Sequence, residues 1–194
     1  VFNSQTAYFL LNYFWAVGLS NKNPILDSGP IQQYSQGKVE NFASTGGWSL
    51  AKKPLNEIYS KLPLITLTAD QQKNLEEVAK AVYRPCCDNS THFPDCNHGM
   101  AMLGLMELMA SQGATVAQML DAAKHANAYW YPTQTMEQAI FFKNTTGKGY
   151  KDVDASVLLG PKYSSSSGFQ ALHQYLAQNS LLPEAPKSGG SCGV

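Results

Sequence analysis

Three times the chain writes a threonine, two further residues and a glutamine: "TADQ" from Thr68, "TVAQ" from Thr115 and "TMEQ" from Thr135. Each is a helix-start signature, because the hydroxyl caps a free backbone N–H while the glutamine reaches back to the cap. The first predicts a helix over "ADQQKNLEEVAKAVYR", where Leu75, Val78, Ala79 and Val82 fall at helical spacing. Pro85 bars its continuation and pushes Arg84 out of the helical conformation. The second predicts a helix over "VAQMLDAAKHANAYWY", closed by Pro132, and the third one over "MEQAIFFKN", closed by "TTGKG". Between the first two lies "HGMAMLGLMELMASQG", helical by composition and stopped at Gly113. "SSSSGFQALHQYLAQN" reads as a serine-capped amphipathic helix with Phe169, Leu172, Tyr175 and Leu176 inward.

Runs of alternating β-branched residues are missing, and "LPLITLT" is the only strand candidate. The expectation is a mainly α fold, a single-domain bundle of about six to eight helices, with a disulfide-stapled cysteine loop and an extended C-terminal strap. At 194 residues the chain has the length of one domain. Residues 1–66 read as an irregular helical N-terminal part, 67–180 as the helical core and 181–194 as the strap.

Lysine plus arginine equals aspartate plus glutamate, and no basic stripe tracks a phosphate backbone, so nucleic acid is not an expected partner. Only 14% of residues are charged, and the surface is kept wet by neutral polar groups. That balance, with four cysteines, predicts an extracytoplasmic protein, periplasmic or secreted. "AYFLLNYFWAVGL" is too short to span a bilayer, which takes about 20 apolar residues, and reads as a buried helix. The numbering starts at Val1, which is compatible with a removed leader or a membrane tether ahead of it.

Chemistry concentrates in "PCCDNSTHFPDCNHGMAMLGLMEL", which holds three of the four cysteines and two of the four histidines. On a helix from His98 onward, His98, Met102, Leu105 and Met109 share one arc bordered by Met106, while Met100, Leu103 and Glu107 point the other way. Cys96 falls at the mouth of that helix, where the N-terminus favours a thiolate. Thiolate, thioether and imidazole together suit copper(I), and His/Met pairs also ligate haem iron. The candidate ligands are Cys86, Cys87, Cys96, His98, Met100 and Met102, with His92 in the same loop. The sequence lacks C-x-x-C-H, so any haem would be non-covalent. Zinc is less suited, because the usual two-residue gap between paired cysteines is missing.

A second reading uses the same sulfurs as staples and the methionines as core filler. A bridge between adjacent cysteines is strained. One of Cys86 and Cys87 would therefore join Cys96, and the other would catch Cys192 and pin the strap. The longer bridge would close a loop of roughly 100 residues, worth up to about 4.7 kcal/mol. No phosphate loop, nucleophile elbow or H-E-x-x-H motif is present, so no reaction is read from the chain. The expected functions are soft-metal or haem handling outside the cytoplasm, or a stapled interaction domain.

"CCDNSTHFPDC", followed by a helix ending in "ASQG" and then "ATVAQML", resembles the helical hairpin of CcmH-type thiol proteins of cytochrome c maturation, over residues 86–120. The counterparts of that family's residues are Cys86, Cys87, Asn89, Thr91 and Asp95. The resemblance implies a third function, thiol–disulfide exchange, and the same compartment. The family sets its two cysteines two residues apart, whereas here they are adjacent.

Overall fold

A helix that is apolar on every side has to be surrounded, and the fold is built around one. The computed structural model describes residues 1–47 and 51–183. In chain order its helices are α1 (Ala7–Ser20), α2 (Pro24–Asp27), α3 (Pro30–Ser35), α4 (Leu55–Ile58), α5 (Ala69–Ala81), α6 (Asn97–Ser111), α7 (Val116–Trp130), α8 (Pro132–Thr146), α9 (Ala155–Leu159), α10 (Pro161–Ser164) and α11 (Ser166–Gln178). The fold is mainly α, and no strand forms among the described residues. "LPLITLT" contributes only an isolated bridge, Leu62 with Asn21. It crosses at one point and has no second partner, so no ladder can grow.

The central helix is α6. Met100, Ala101, Met102, Leu103 and Met106 are all fully buried, whichever way they point. The two arcs drawn from the sequence are therefore both core. α1 lies along it so closely that a Cβ on Gly18 would meet the Met100 carbonyl oxygen, and one on Gly104 the Phe14 carbonyl oxygen. Glycine at both positions lets the two backbones touch. α5 and α7 flank the pair, and the Trp130 indole N–H at the end of α7 donates to the Ala7 carbonyl (3.1 Å). α1 is not a buried helix throughout, as its sequence suggested. Tyr8 and Phe9 are each 66% exposed, because the inner face already meets α6 through Leu11, Phe14 and Gly18.

Two of the three threonine caps form as predicted, with both halves of the capping box made at Thr68 and Thr115. The third does not. α8 opens at Pro132, and Thr135 lies inside it. Proline suits the first helical position, having no N–H to lose and a preset φ, so the residue expected to close α7 opens α8. Ser165 caps α11 as expected, but only Leu172 and Leu176 are buried, while Phe169 and Tyr175 stay half-exposed. The strap beyond residue 183, with Cys192, lies outside the described residues.

Candidate metal centre

The segment from Arg84 to Cys96 joins α5 to α6 without regular structure, yet it is tied down on four sides. Thr91 donates through both its N–H (2.8 Å) and its hydroxyl (3.1 Å) to the Val82 carbonyl. The Ser44 N–H donates to the Asp95 carbonyl (3.0 Å), and just ahead of the segment the Tyr83 N–H donates to that of Leu159 (2.9 Å). At the start of α11, the Ser166 N–H donates to the Cys87 carbonyl (3.0 Å), and the Ser167 N–H and hydroxyl both donate to the Asp88 carboxylate (2.8 Å each). A loop whose backbone polar groups are paired in this way presents its side chains in fixed positions.

Those side chains converge. The sulfurs of Cys86, Cys87 and Cys96 all lie within 4.8 Å of one another. Cys86 Sγ is 3.4 Å from Cys96 Sγ and 3.9 Å from Cys87 Sγ. All three cysteines are free, so the expected bridge from Cys86 or Cys87 to Cys96 is not formed. The sulfurs are in van der Waals contact, well beyond the bonded distance of about 2.05 Å.

Beneath them lies Arg84, the only arginine among the fourteen basic residues, with none of its side chain exposed. Its Nε donates to Cys96 Sγ (3.2 Å) and its Nη2 to Cys87 Sγ (3.2 Å). Nη2 also pairs with Asp95 Oδ1 (2.9 Å), whose other oxygen accepts from the Asn89 amide (2.8 Å). Nη1 is buried without a partner. The guanidinium rests on the first turn of α6, where a Cβ on Gly99 would stand 2.6 Å from its Cζ. Only glycine admits it there. Burial opposes the charge of Arg84, and the neighbouring Cys96, Cys87 and Cys86 more than offset it, so the guanidinium stays protonated.

Cys96 caps α6, its sulfur accepting from the Gly99 N–H (3.4 Å). Hydrogen bonds from the Cys86 and Cys87 thiols hold its own thiol well below the usual range, with help from Arg84 and that N–H. Of the three sulfurs Cys96 is the one disposed to carry negative charge, while the Cys86 and Cys87 thiols are pushed up. Cys86 also meets the Tyr131 hydroxyl (3.1 Å), and burial raises that phenol.

The remaining candidate ligands are placed differently. His98 bonds Asn97 Oδ1 through Nδ1 (2.8 Å) and packs its ring on Tyr131, centroids 4.6 Å apart. Its partial burial favours the neutral imidazole, and it adjoins the sulfurs without joining their convergence. His92 turns toward α5, where burial and then Lys80 lower its basicity. Met100 and Met102 are embedded in the apolar core.

Sequence reasoning missed Arg84 and Tyr131. The arginine had one signal, its solitude among thirteen lysines and its place directly before the "PCC" run. Asn89 and Asp95 were flagged by resemblance alone, and here they orient the guanidinium. Comparison with family models, with curated proteins and with solved structures finds no match.

Proposed function

We propose that this chain is an extracytoplasmic soft-metal handling protein that holds one copper(I) ion on Cys86, Cys87 and Cys96. The observation that carries the reading is the convergence of three sulfurs within 4.8 Å on a loop fixed at every side. An ion about 2.3 Å from each thiolate, in their plane, sets the sulfurs about 4.0 Å apart. The distances of 3.4 and 3.9 Å need only small adjustments to reach that. Three thiolates are a donor set for a soft ion, and copper(I) accepts three-coordination. A structural zinc site takes four protein ligands, and the cluster holds three. A haem iron takes one protein ligand on each face, so three sulfurs gathered at one point favour the ion over the haem.

Three thiolates around a monovalent ion leave two negative charges. Arg84 supplies a permanent positive charge in hydrogen-bond contact with two of the sulfurs. Because the Cys86 and Cys87 thiols are pushed toward the protonated form and metal ligation needs thiolates, metal uptake releases protons. What supports the compartment is the cysteine content and the low charge of the chain. There, sulfurs this close would oxidise unless an ion held them.

A second reading rests on the distance between Cys86 and Cys96. At 3.4 Å the pair is poised for a staple, or for thiol–disulfide exchange led by the Cys96 thiolate. Anaerobic titration of the reduced protein with copper(I), against a chromophoric chelator, separates the readings. The copper reading expects one tightly held ion per chain and no uptake once all three cysteines are alkylated. Failure of the reduced protein to compete for the metal overturns it and leaves the sulfur–sulfur chemistry.

A further inference from the structure

The three sulfurs are close together but not equivalent. Cys87 and Cys96 each accept a hydrogen bond from the fully buried guanidinium of Arg84. Cys96 is further held by the Gly99 N–H, and the backbone of Cys87 by Ser166 and by the Arg84 carbonyl. Cys86 is the exposed member of the trio, and no bond from Arg84 reaches it; beyond the other two sulfurs it meets the Tyr131 hydroxyl. Pulling Cys87 or Cys96 off a shared ion would strip donors in the interior of their acceptor, a costly change. Pulling Cys86 off strips the guanidinium of nothing, and this sulfur can swing toward solvent.

Resting on the copper(I) reading above, we infer that Cys86 is the exchangeable ligand through which the ion passes to an acceptor that presents a thiol, while Cys87 and Cys96 are the retaining pair. In the exchange the acceptor's sulfur forms a bond to copper and the bond from copper to Cys86 breaks. The electron pair of the broken bond stays on the Cys86 sulfur, which takes up the proton the acceptor thiol gives up. Copper remains monovalent, and no oxidant or reductant takes part. The Tyr131 hydroxyl, 3.1 Å away, is positioned to bond the released sulfur. The acceptor is of thiol chemistry because a soft ion exchanges at least cost between like ligands.

The experiment compares Cys86→Ser, Cys87→Ser and Cys96→Ser, each loaded anaerobically with copper(I) alone and with copper(I) plus glutathione. Copper retained after gel filtration is measured beside circular dichroism. Glutathione is expected to restore a one-to-one complex in Cys86→Ser and to restore nothing in the other two. Rescue of all three alike, or of none, overturns the assignment. A wild-type measurement covers the case in which a variant misfolds. One equivalent of iodoacetamide added to the copper-loaded protein is expected to label Cys86 first, with the metal retained, as located by peptide mass. Equal labelling of the three sulfurs, or labelling led by Cys87 or Cys96, overturns the inference. If the wild-type protein takes up no copper at all, the metal reading itself has failed, which is a separate outcome.

Discussion

The two ends of α6 treat charge in opposite ways. At its start, Cys96 lies against the partly positive helix terminus, accepts from Gly99 and Arg84, and is held as a thiolate. Nearer its other end Glu107 is fully buried. Neither of its oxygens has a well-formed hydrogen bond. Burial pushes its carboxyl up to about 8, an effect that the amides of Asn21 and Asn23 offset only in part. One end of the rod is built to keep a negative charge, and the other to exclude one. Ionisable side chains on a single buried helix thus differ according to how deeply they are buried and which donors they meet.

The largest test of this contrast removes the cation. Arg84→Ala leaves Asp95 without its ion partner and strips Cys87 and Cys96 of the guanidinium's hydrogen bonds. Breaking a buried pair costs about 3–5 kcal/mol, read as a lower urea midpoint at constant slope. Copper(I) affinity should fall by about 10–100-fold as well, the usual effect of losing a group that orients metal ligands. A variant as stable as the parent, with equal affinity, would show that the guanidinium does not organise the site.

Glu107→Gln probes the other end and should stabilise. The native carboxyl keeps its proton up to about pH 8, whereas the unfolded chain releases it near the ordinary glutamate value of 4.5. The native state therefore binds more protons between those values, and stability is lost as pH rises through that window. Glutamine removes the loss. The variant should gain a few kcal/mol over the parent at pH 8.5 and nothing at pH 4, from urea unfolding at both values. An equal difference at the two pH values would contradict burial of a protonated acid.

Gly99→Ala is expected to cost about 1–3 kcal/mol by overpacking, because its new methyl meets the Arg84 guanidinium. Its signature is a joint one, since displacing the guanidinium should also slow alkylation of Cys96 at neutral pH as its thiolate fraction falls. The smallest effect belongs to His98→Ala. It loses ring contacts with Tyr131 and, more distantly, Trp130, the closer worth about 0.5–1.5 kcal/mol, and should leave copper stoichiometry unchanged.

What could be read ahead of the structure follows the range of the interactions. Helix caps at Thr68, Thr115 and Ser165 depend on three or four residues, and each forms as its sequence predicts. Thr135 carried the same local signal and lost to Pro132, because two valid starts lay three residues apart and proline needs no partner. The sulfur cluster was legible because Cys86, Cys87 and Cys96 are near in sequence. Spacing alone does not say whether such sulfurs bond to one another or share an ion. Arg84 was read only as the end of a helix. Its burial depends on Gly99 and Asp95, contacts made across the loop that no local pattern encodes. Glu107 looked like one scattered acid among several, although a helix apolar on both faces already left it no route to water.

The central claim, that three cysteine sulfurs enclose one soft ion at the start of α6, is tested most directly by X-ray absorption at the copper edge on the anaerobically loaded protein. A copper(I) edge and three sulfur neighbours at about 2.3 Å are expected. A first shell dominated by nitrogen or oxygen would contradict it.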